Sequence, residues 1–399
     1  MSTIIERIEK FNSGLLPDKV QLKYKAMAES PFRFFRGTCH LFYQDLVKAK
    51  SFPSSPLVWI CGDLHLENFG SFRGNNRQVY FDLNDFDESM LSPLNWELAR
   101  VLTSIYVAFG TLKLKKSAAV KMSGLFLDKY IETLGSGKAI SIDPRTADGI
   151  VMDFLSRVEK RKEKELIKKV ADVAGKDLRI KIDNLTHFKL EKELKEELIG
   201  HLGSWIKKTE SWPNKYVVKD AAFRVAGTGS IGLKRYMFLL QGLKNKNKFL
   251  LLELKQGVAS SLKPYNKNPQ PGWKTEAERM ITIKYRMQNV SPALLSTSRF
   301  KGDDFVLQEM QPFADKINLE VLARNLKDMK CVLMDMAVLT ASAQLRSSGI
   351  QGSVPNGELI AFARRKDWQK PLLDYAEQYA AQVNLDYKDY CAGLPSLVH

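Results

Sequence analysis

Residues 60–70 read ICGDLHLENFG, and this stretch decides how the rest of the chain is interpreted. The apolar run at 57–61 predicts a buried strand that leads into a loop. Asp63 and Asn68 lie within that loop, with four residues between them. The stretch therefore places a carboxylate and an amide, both able to take part in chemistry, directly after a buried strand.

A cluster of carboxylates follows the next predicted strand, at 78–83. Asp82, Asp85 and Asp87 crowd together in FDLNDFDES. Several carboxylates at one strand end repel one another unless a cation lies among them. We therefore predict Asp85 as the principal metal ligand, with Asn68 and Asp87 as further ligands. The alternative is an acidic surface turn, which the strongly apolar neighbours on both sides disfavour.

A glycine array, G-x-G-x-x-G, lies in the second half of the chain, in RVAGTGSIGLKRY. In a dinucleotide-binding unit the third glycine would open a helix. Here residues 233–241 are rich in β-compatible side chains, and a turn leads to another apolar strand at 249–254. The array therefore predicts a β-hairpin whose backbone closes over phosphate groups. Its predicted phosphate-binding residues are Gly227, Thr228, Gly229, Ser230 and Gly232.

Lys255 ends the second strand of this hairpin, in LLLELKQG. A lysine in an apolar strand is costly unless its ammonium is paired. The helix predicted from KTEAERMITIKYRMQ offers Glu278 as the partner, with Glu276 a close second, whereas an unpaired surface lysine is the alternative. The strand at 303–313 then leads to a predicted hinge, where backbone groups would hold an adenine edge at Glu309, Met310 and Gln311.

The charge balance is basic but uneven. The chain of 399 residues carries 61 Lys and Arg against 45 Asp and Glu, a formal net charge of +16, yet its first 110 residues hold 12 of each sign. Excess positive charge can attract polyanions such as nucleic acid. The Lys-rich run at 156–170 is interleaved with Glu at helical spacing, which is typical of a solvated helix face. Since no nucleic-acid-binding signature accompanies it, we do not expect a nucleic acid partner.

The remaining composition is that of a globular protein, with 44% hydrophobic residues and four scattered cysteines without a C-x-x-C pair. The start, MSTIIERIEKFNSG, lacks the apolar core of a secretion signal, and we expect a cytoplasmic chain without a membrane segment. The segment from 111 to about 212 has an all-helical, Lys/Glu-rich texture, and helices are expected again from 319, including one at 321–347.

These motifs together resemble a known group of enzymes. GDLHLENFG followed by DFDE and then by P-x-x-W-E-L-A-R is similar to the aminoglycoside and choline kinases of the protein-kinase-like superfamily. Through FFRGT, AGTGSIGLKRY, LLELKQG, AERM and YRMQ, nearly the whole chain resembles the bacterial domain of unknown function 2252 family. The resemblance implies that Asp63 is the base, that Asn68 and Asp85 bind Mg²⁺, and that Lys255 and Glu278 pair beside ATP.

The fold class implied by this resemblance is α+β, a two-lobed protein-kinase-like fold. The order of its parts is unusual, because Asp63 precedes Gly227, whereas an ordinary kinase has its glycine loop first. A circular permutation with a helical insert would account for that order. The implied parts are 1–110 with the catalytic loop and metal ligands, 111–215 as the helical, substrate-shaping insert, 216–318 as the β-rich lobe, and 319–399 as the helices that complete the other lobe.

The expected function is transfer of a phosphoryl group from ATP, with Mg²⁺, to an unknown hydroxyl acceptor. Two departures keep alternatives open: Cys61 stands where many kinases have a histidine, and Gln344 replaces a histidine expected in the family. One alternative is a pseudokinase that binds nucleotide or docks a partner, and another is an enzyme that transfers AMP. A metallophosphoesterase built on Asp63 and His65 would want more histidines, so His65 is interpreted as structural.

Overall fold

The computed structural model of the protein describes residues 3–174, 177–209, 212–310 and 315–397. Within these ranges the chain forms fourteen α-helices, twelve strands and three short 3₁₀ turns. None of these helices has the length and apolar character that crossing a membrane requires. Fold class is therefore mixed α+β, and the helices and strands separate into a helical body and one large sheet.

The helical body combines elements from both ends of the chain. From the N-terminal part come α1 (Ile4–Asn12), α2 (Pro17–Met27), α3 (Pro31–Gly37), α4 (Cys39–Leu46), α5 (Leu94–Thr111), α6 (Lys116–Ser136) and α7 (Gly149–Glu159). The C-terminal part supplies α11 (Leu319–Leu322), α12 (Leu326–Arg346), α13 (Asn356–Arg364) and α14 (Gln369–Gly393). Helix α5 is apolar on nearly all sides and is buried because α6 and α14 pack against it.

Two short antiparallel ladders lie within the helical body. They consist of β1 (Leu57–Ile60) with β4 (Met90–Pro93), and of β2 (Phe69–Arg73) with β3 (Val79–Leu83). The strands predicted at 57–61 and 78–83 are thus confirmed as β1 and β3. Ser92 and Pro93 directly precede α5, as the sequence predicted for a helix start.

The large sheet has six antiparallel strands in the order β11-β12-β10-β9-β8-β7. These are β7 (His187–Phe188), β8 (Tyr216–Arg224), β9 (Arg235–Gly242), β10 (Phe249–Gln256), β11 (Ser296–Phe300) and β12 (Asp303–Met310). Strands β8, β9 and β10 follow one another in sequence and in space, which confirms the predicted hairpin after the glycine array. Helix α10 (Glu276–Met287) packs against β11 and β12.

Each face of this sheet is covered by a different part of the chain. Helix α9 (Lys192–Lys208) packs Leu198, Leu202 and Ile206 on one face. The other face, which carries Lys255, is partly covered by α8 (Glu163–Val170) and by the hairpin of β5 (Ala171–Ala174) and β6 (Asp177–Ile180). Side chains at successive strand positions point to opposite faces, and Leu250 and Leu251 of β10 are both buried, so both faces of the sheet need a cover.

Two predictions about secondary structure are wrong in part. The segment 111–212 is not all helical, because β5, β6 and β7 interrupt it. Its Lys and Glu content hid short β-compatible stretches that pair with each other or with β8. The helix expected at 321–347 begins instead at Leu326, where Asn325 caps it by accepting a hydrogen bond from the Lys327 amide at 3.0 Å.

Candidate functional site

Two loops meet because of how the short ladders are connected. The Asp63 loop (residues 61–68) joins β1 to β2, and the Asp85 loop (residues 84–89) joins β3 to β4. Since β1 pairs with β4 and β2 with β3, both loops cross between the same two ladders and lie side by side. The Asn84 amide donates to the carbonyl oxygen of Asn68 at 2.9 Å, which fixes the two loops to each other.

The close approach of these loops depends on Gly62. Its φ is +84°, in the left-handed region that favours glycine. A Cβ atom at this position would lie 2.2 Å from the carbonyl oxygen of Glu88 in the opposite loop. The Gly62 carbonyl in turn accepts a hydrogen bond from the hydroxyl of Tyr43 on α4. Glycine is thus required here by both its backbone conformation and the lack of space.

Asp63 points into a pocket and is held by an arginine from α5. Arg100, which is fully buried, donates to Oδ1 of Asp63 from Nε at 3.0 Å and from a terminal nitrogen at 2.8 Å. The Asp63 side chain keeps 18% of its exposure. Burial raises the pKa of Asp63 and the Arg100 charge opposes that rise, with a net result above the ordinary value. The carboxylate is therefore oriented, accessible and more basic than usual.

Asn68 and His65 complete the Asp63 loop. The Asn68 side-chain amide donates to the carbonyl oxygen of Asp63, so its Oδ1 is the atom that remains to bind a cation. His65 accepts at Nδ1 from the backbone amide of Glu67 at 3.1 Å, and its Nε2 lies 3.3 Å from Nε of Arg36. This agrees with the interpretation of His65 as a structural residue of the loop.

Lys255 reaches across from the sheet to the Asp85 loop. Its ammonium lies 3.2 Å from Oδ1 of Asp85 and also forms an ion pair with Asp87. The lysine is buried, whereas the Asp85 side chain is 42% exposed. Burial alone would raise the pKa of Asp85, but the charges of Lys255 and Arg235 hold it below its ordinary value. Burial and the nearby Asp85 charge raise the pKa of Asp87.

The expected ion pair between Lys255 and Glu278 is wrong. Glu278 belongs to the first turn of α10, where its carboxylate accepts from the Lys274 amide at 2.6 Å. Glu276, the second choice, pairs with Arg279 on the same helix. Both glutamates are used at the N-terminal end of α10, where acidic side chains interact well with free amides. The anionic partners that Lys255 needs are instead the carboxylates of Asp85 and Asp87.

Helix α10 contacts the Asp85 loop through an arginine. Arg279 is buried and donates to the carbonyl oxygen of Asp87 at 2.8 Å and to that of Val258 at 3.1 Å. Val258 follows β10 by two residues, so one guanidinium connects the loop, the helix and the end of the lysine strand. Arg279 was not singled out from the sequence, because AERM gives no local signal that its arginine is buried.

The glycine loop (residues 227–232) lies between β8 and β9 and rests on α3. A Cβ at Gly229 would lie 3.2 Å from the carbonyl oxygen of Arg36, so the loop passes directly over that helix. The carbonyl oxygen of Gly232 accepts from the Leu16 amide at 2.9 Å, in the connection between α1 and α2. Thr228 is buried, and no helix follows Gly232, as the sequence predicted.

The glycine loop and the two aspartate loops line one cavity of about 330 Å³. Residues predicted for the site that border it are Asp63, Asn68, Asp85, Asp87 and Gly227, Thr228, Gly229 and Ser230. Lys255 borders a much smaller adjoining space together with Asp85 and Asp87. Gly232 and Glu278 are not among the residues that line either space. Asp63 and Gly227, which are 164 positions apart in sequence, thus line the same cavity.

Four further charged side chains belong to this neighbourhood and were not picked out as site residues. Lys23, Arg36 and Glu88 line the cavity, and Arg100 orients Asp63. Glu88 accepts from the hydroxyl of Ser260 at 2.9 Å, which ties the Asp85 loop to the chain after β10. The FFRGT and W-E-L-A-R motifs contain two of these residues, but the role of each depends on neighbours remote in sequence.

The predicted hinge is described only in part. Gln311 lies outside the described residues. The Glu309 amide donates to the carbonyl oxygen of Ala293 at 3.3 Å, and Met310 packs against the apolar cluster that includes Leu251 and Ile180. The binding of an adenine edge by these residues stays a prediction.

Within the described ranges, no group of three or more His, Cys, Asp or Glu side chains is arranged to hold a metal ion. Mg²⁺ is usually bound by one or two carboxylates together with water and substrate phosphates, so it does not need such a group. The exposed carboxylate of Asp85 and the amide oxygen of Asn68 are oxygen donors of the kind it prefers. These residues therefore fit Mg²⁺ that is bound jointly with phosphate groups.

A buried polar chain supports the Asp63 loop from behind. Glu97 on α5 is fully buried and accepts from the Cys61 amide and from the side-chain amide of Gln344 at 3.0 Å. Gln344 in turn accepts from the hydroxyl of Tyr130. The glutamine that departs from the expected histidine thus has a structural partner. Burial raises the pKa of Glu97 to about 7.

We expect Glu97→Gln to remove a pH dependence of stability. Because the folded pKa of about 7 exceeds the ordinary value, the folded state binds the proton more tightly, and Glu97 lowers the free energy of unfolding as pH rises from about 4.5 to 7. Above pH 7 the variant should be more stable than the wild type by about 1–3 kcal/mol. Urea unfolding at pH 5 and pH 8 measures the difference.

The control for this experiment is Glu132→Gln, which changes an exposed glutamate on α6. It should leave the pH dependence unchanged. Two results would contradict the assignment of this titration to Glu97. One is a wild-type free energy of unfolding that does not change between pH 5 and pH 7. The other is a Glu97→Gln variant that loses as much stability between pH 5 and pH 8 as the wild type does.

Comparison with known proteins gives one match. No curated protein matches this chain, and no solved structure does. The family model described as "Uncharacterized protein conserved in bacteria (DUF2252)" matches residues 15–393, which include the Asp63, Asp85 and glycine loops. Because that match spans nearly the full length, the chain belongs to the bacterial DUF2252 family.

Proposed function

We propose that the protein is an ATP-dependent phosphotransferase that moves a phosphoryl group to a hydroxyl acceptor. One observation carries the proposal: a glycine loop and the side chains of Asp63, Asn68, Asp85 and Asp87 line the same cavity. Phosphoryl transfer requires a backbone cover for phosphates, oxygen ligands for Mg²⁺ and a carboxylate near the acceptor hydroxyl. The cavity borders residues suited to each of these three tasks.

In the proposed reaction, the acceptor oxygen forms a bond to the γ-phosphorus of ATP while the bond from phosphorus to the leaving ADP oxygen breaks. Asp63 takes the proton of the acceptor hydroxyl, which leaves a phosphate ester and ADP. A raised pKa suits this role, because a base is most effective when its pKa approaches the working pH. Arg100 fixes one carboxylate oxygen of Asp63 and so orients the other.

Mg²⁺ would be held by Asn68 and Asp85 and would neutralise charge on the phosphates. Without nucleotide, the ammonium of Lys255 neutralises Asp85 and Asp87 in the place of a metal cation. Mg²⁺ on these carboxylates would leave the ammonium of Lys255 to pair with the α- and β-phosphates. The proposed nucleotide state thus exchanges one cation for another at the Asp85 loop and adds a polyanion beside the lysine.

The proposal includes a permuted protein-kinase-like arrangement. The sheet with the glycine loop and Lys255 would form one wall of the nucleotide cleft, and the helical body with the Asp63 and Asp85 loops the other. Support comes from the reversed order of these parts along the chain and from the contacts between them. In a kinase the helix that follows the lysine strand supplies a glutamate to that lysine; α10 also follows the lysine strand in sequence, but here it contributes Arg279, which bonds to the Asp85 loop.

A pseudokinase is the second candidate, and one observation favours it. The sheet face that carries Lys255 is apolar beyond the lysine. There, the side chains of Ala222, Leu239 and Leu251 pack against Ile167 of α8 and Ile180 of β6. In a kinase-like arrangement this apolar face would contact the nucleotide base. A base could reach it only if the β5–β6 hairpin moved, whereas a protein that never binds nucleotide could keep the hairpin closed.

The proposed function is tested by thermal unfolding with ATP, first with MgCl₂ and then with EDTA. We expect ATP to raise the midpoint only with Mg²⁺, and we expect ADP to accumulate slowly in the same sample. Mass spectrometry of reactions with hydroxyl compounds separates the gain of a phosphoryl group from the gain of AMP. Stabilisation by ATP without any turnover would favour the pseudokinase, and a gain of AMP would reject phosphoryl transfer.

A further inference from the structure

The cavity continues beyond Asp63 to the N-terminal helices. On that side it is lined by Phe11, Leu15, Lys23, Arg36 and Cys39, which come from α1 to α4 and the connection between α1 and α2. The glycine loop rests on α3 and on the connection between α1 and α2, so these helices border the same cavity as the proposed phosphate cover. In the proposed function, nucleotide phosphates would bind at Asp85 and the glycine loop. The acceptor would bind in the part of the cavity that is lined by Asp63 and Lys23.

Lys23 is the unusual residue of this end. It is 1% exposed, and its ammonium donates to Oδ1 of Asn12 at 2.9 Å. Among the described residues, no carboxylate lies within ion-pair distance of this ammonium. Burial lowers the pKa of Lys23 to about 8, although the more distant charges of Glu88 and Asp63 act in the opposite direction. Because a buried ammonium without an anion costs several kcal/mol, stability of the fold alone does not explain this lysine.

Polar atoms next to Lys23 also lack partners. The side-chain nitrogen of Asn12 and both ring nitrogens of His40 are buried without a hydrogen bond, and these residues are 3% and 4% exposed. Phe11 lines the cavity and stacks on His40 with ring centroids 3.8 Å apart, and the ammonium of Lys23 lies 5.6 Å from the centre of the Phe11 ring. Buried polar groups in native proteins are nearly always paired with protein or water, so these atoms leave hydrogen-bonding capacity near Lys23 that the surrounding side chains do not fill.

The other charges of the cavity do not replace that ligand. The guanidinium of Arg36 is committed to Glu67, and Glu88 accepts from Ser260 and Ser261. Asp63 is held by Arg100. Lys23 is therefore a cation at the cavity wall that forms no ion pair with the surrounding carboxylates. If a neutral acceptor bound in the cavity, the charge of Lys23 would remain unpaired.

We infer that the acceptor carries an anionic group, a carboxylate or a phosphate, which pairs with Lys23 while its hydroxyl reaches Asp63. This inference rests on the proposed function for the role of the hydroxyl, but the anion subsite itself depends only on Lys23 and its surroundings. The apolar side chains of Phe11 and Leu15 limit the space for further polar groups. The substrate class is thus a small hydroxy acid or a phosphorylated alcohol.

The test compares glycerate and glycerol 3-phosphate with neutral glycerol, by calorimetric titration at constant ionic strength and without nucleotide. We expect both anions to bind, and glycerol to bind at least tenfold more weakly. Lys23→Met should weaken the anions at least tenfold and leave glycerol unchanged. Lys25→Met is the matched control, since it removes an exposed lysine two residues further along α2.

A second variant distinguishes loss of the anion subsite from a general folding defect. Asn12→Asp places a carboxylate where the amide oxygen now lies 2.9 Å from the ammonium of Lys23. Both variants should raise the unfolding midpoint while they weaken anion binding, because Lys23→Met deletes the unpaired buried charge and Asn12→Asp pairs it with a carboxylate. A lysine with only a structural role would give the opposite result for Lys23→Met, a lower midpoint.

The subsite is wrong if neither anion binds better than glycerol, or if Lys23→Met leaves anion affinity unchanged. Its failure is distinguishable from that of the proposed function. Anion binding through Lys23 without consumption of ATP would keep the subsite and reject the phosphotransferase. ATP-dependent transfer to neutral alcohols only, unaffected by Lys23→Met, would keep the phosphotransferase and reject the subsite.

Discussion

Asp63→Asn is expected to lower the rate of phosphoryl transfer by about 10²- to 10⁴-fold, the usual contribution of a general base. The amide cannot accept the hydroxyl proton, but its size matches that of the carboxylate. Nucleotide binding should change little, because Asp63 is not one of the residues proposed to hold ATP or Mg²⁺. Turnover with saturating ATP and the ATP-dependent shift of the unfolding midpoint measure the two effects separately.

This variant has a structural consequence that needs its own control. Arg100 is fully buried, and the charge of Asp63 is one of its partners, so loss of that charge should destabilise the fold. The amide oxygen of the variant can still accept from Arg100, and the arginine also donates to the carbonyl oxygen of Phe35 at 2.7 Å. We therefore expect a folded protein with a lower unfolding midpoint.

The matched control is Asp45→Asn. Asp45 does not line the cavity, and its carboxylate pairs with Arg7 at a distance of 2.8 Å. The variant should lower stability without a loss of turnover per folded molecule. If Asp63→Asn retained the turnover of the wild type, Asp63 would not be the base, and the proposed mechanism would be rejected.

Lys255→Met has the second large effect that we expect. In the proposed function Lys255 pairs with the nucleotide phosphates, and removal of such a preorganised cation should lower transfer by about 10²-fold or more. At the same time, Asp85 and Asp87 lose the ammonium that neutralises them, so Mg²⁺ alone should bind the variant about tenfold more tightly. Thermal unfolding across a series of MgCl₂ concentrations, without nucleotide, measures the second effect independently of activity.

The control is Lys234→Met, which breaks an ion pair with Asp303 at 2.6 Å on the same sheet. Lys234 is not among the residues that line the cavity, so neither the Mg²⁺ response nor transfer should change. An unchanged Mg²⁺ response in Lys255→Met would contradict the exchange of cations at the Asp85 loop. Unchanged transfer would remove Lys255 from the nucleotide site.

The sequence predicted elements whose cause is local. Alternating and continuous apolar runs predicted β1, β3 and the hairpin of β9 and β10, because side-chain periodicity follows directly from strand geometry. The β-compatible side chains at 233–241 likewise indicated a strand, and not a helix, after Gly232. Where the local signal was weak, prediction failed: strands β5 to β7 were missed because Lys and Glu dominate their surroundings.

Ion-pair partners were predicted less well than elements. The burial of Lys255 correctly indicated a need for acidic partners, but the choice of Glu278 followed the order of residues along the chain. The actual partners, Asp85 and Asp87, precede the lysine by about 170 residues. Glu278 instead bonds near its own helix start, where a local amide was available.

By itself, the sequence determined which residues stand at strand ends and turns: Asp63 and Asn68 after one strand, Asp85 and Asp87 after another, and the glycines within a hairpin. Only the tertiary structure decided that these segments share a cavity, that Arg100 orients Asp63, and that Lys23 is buried without an anion. The physical reason is the sequence distance over which each property is determined. Backbone conformation responds to neighbouring residues, whereas burial and charge pairing arise when packing brings distant segments together.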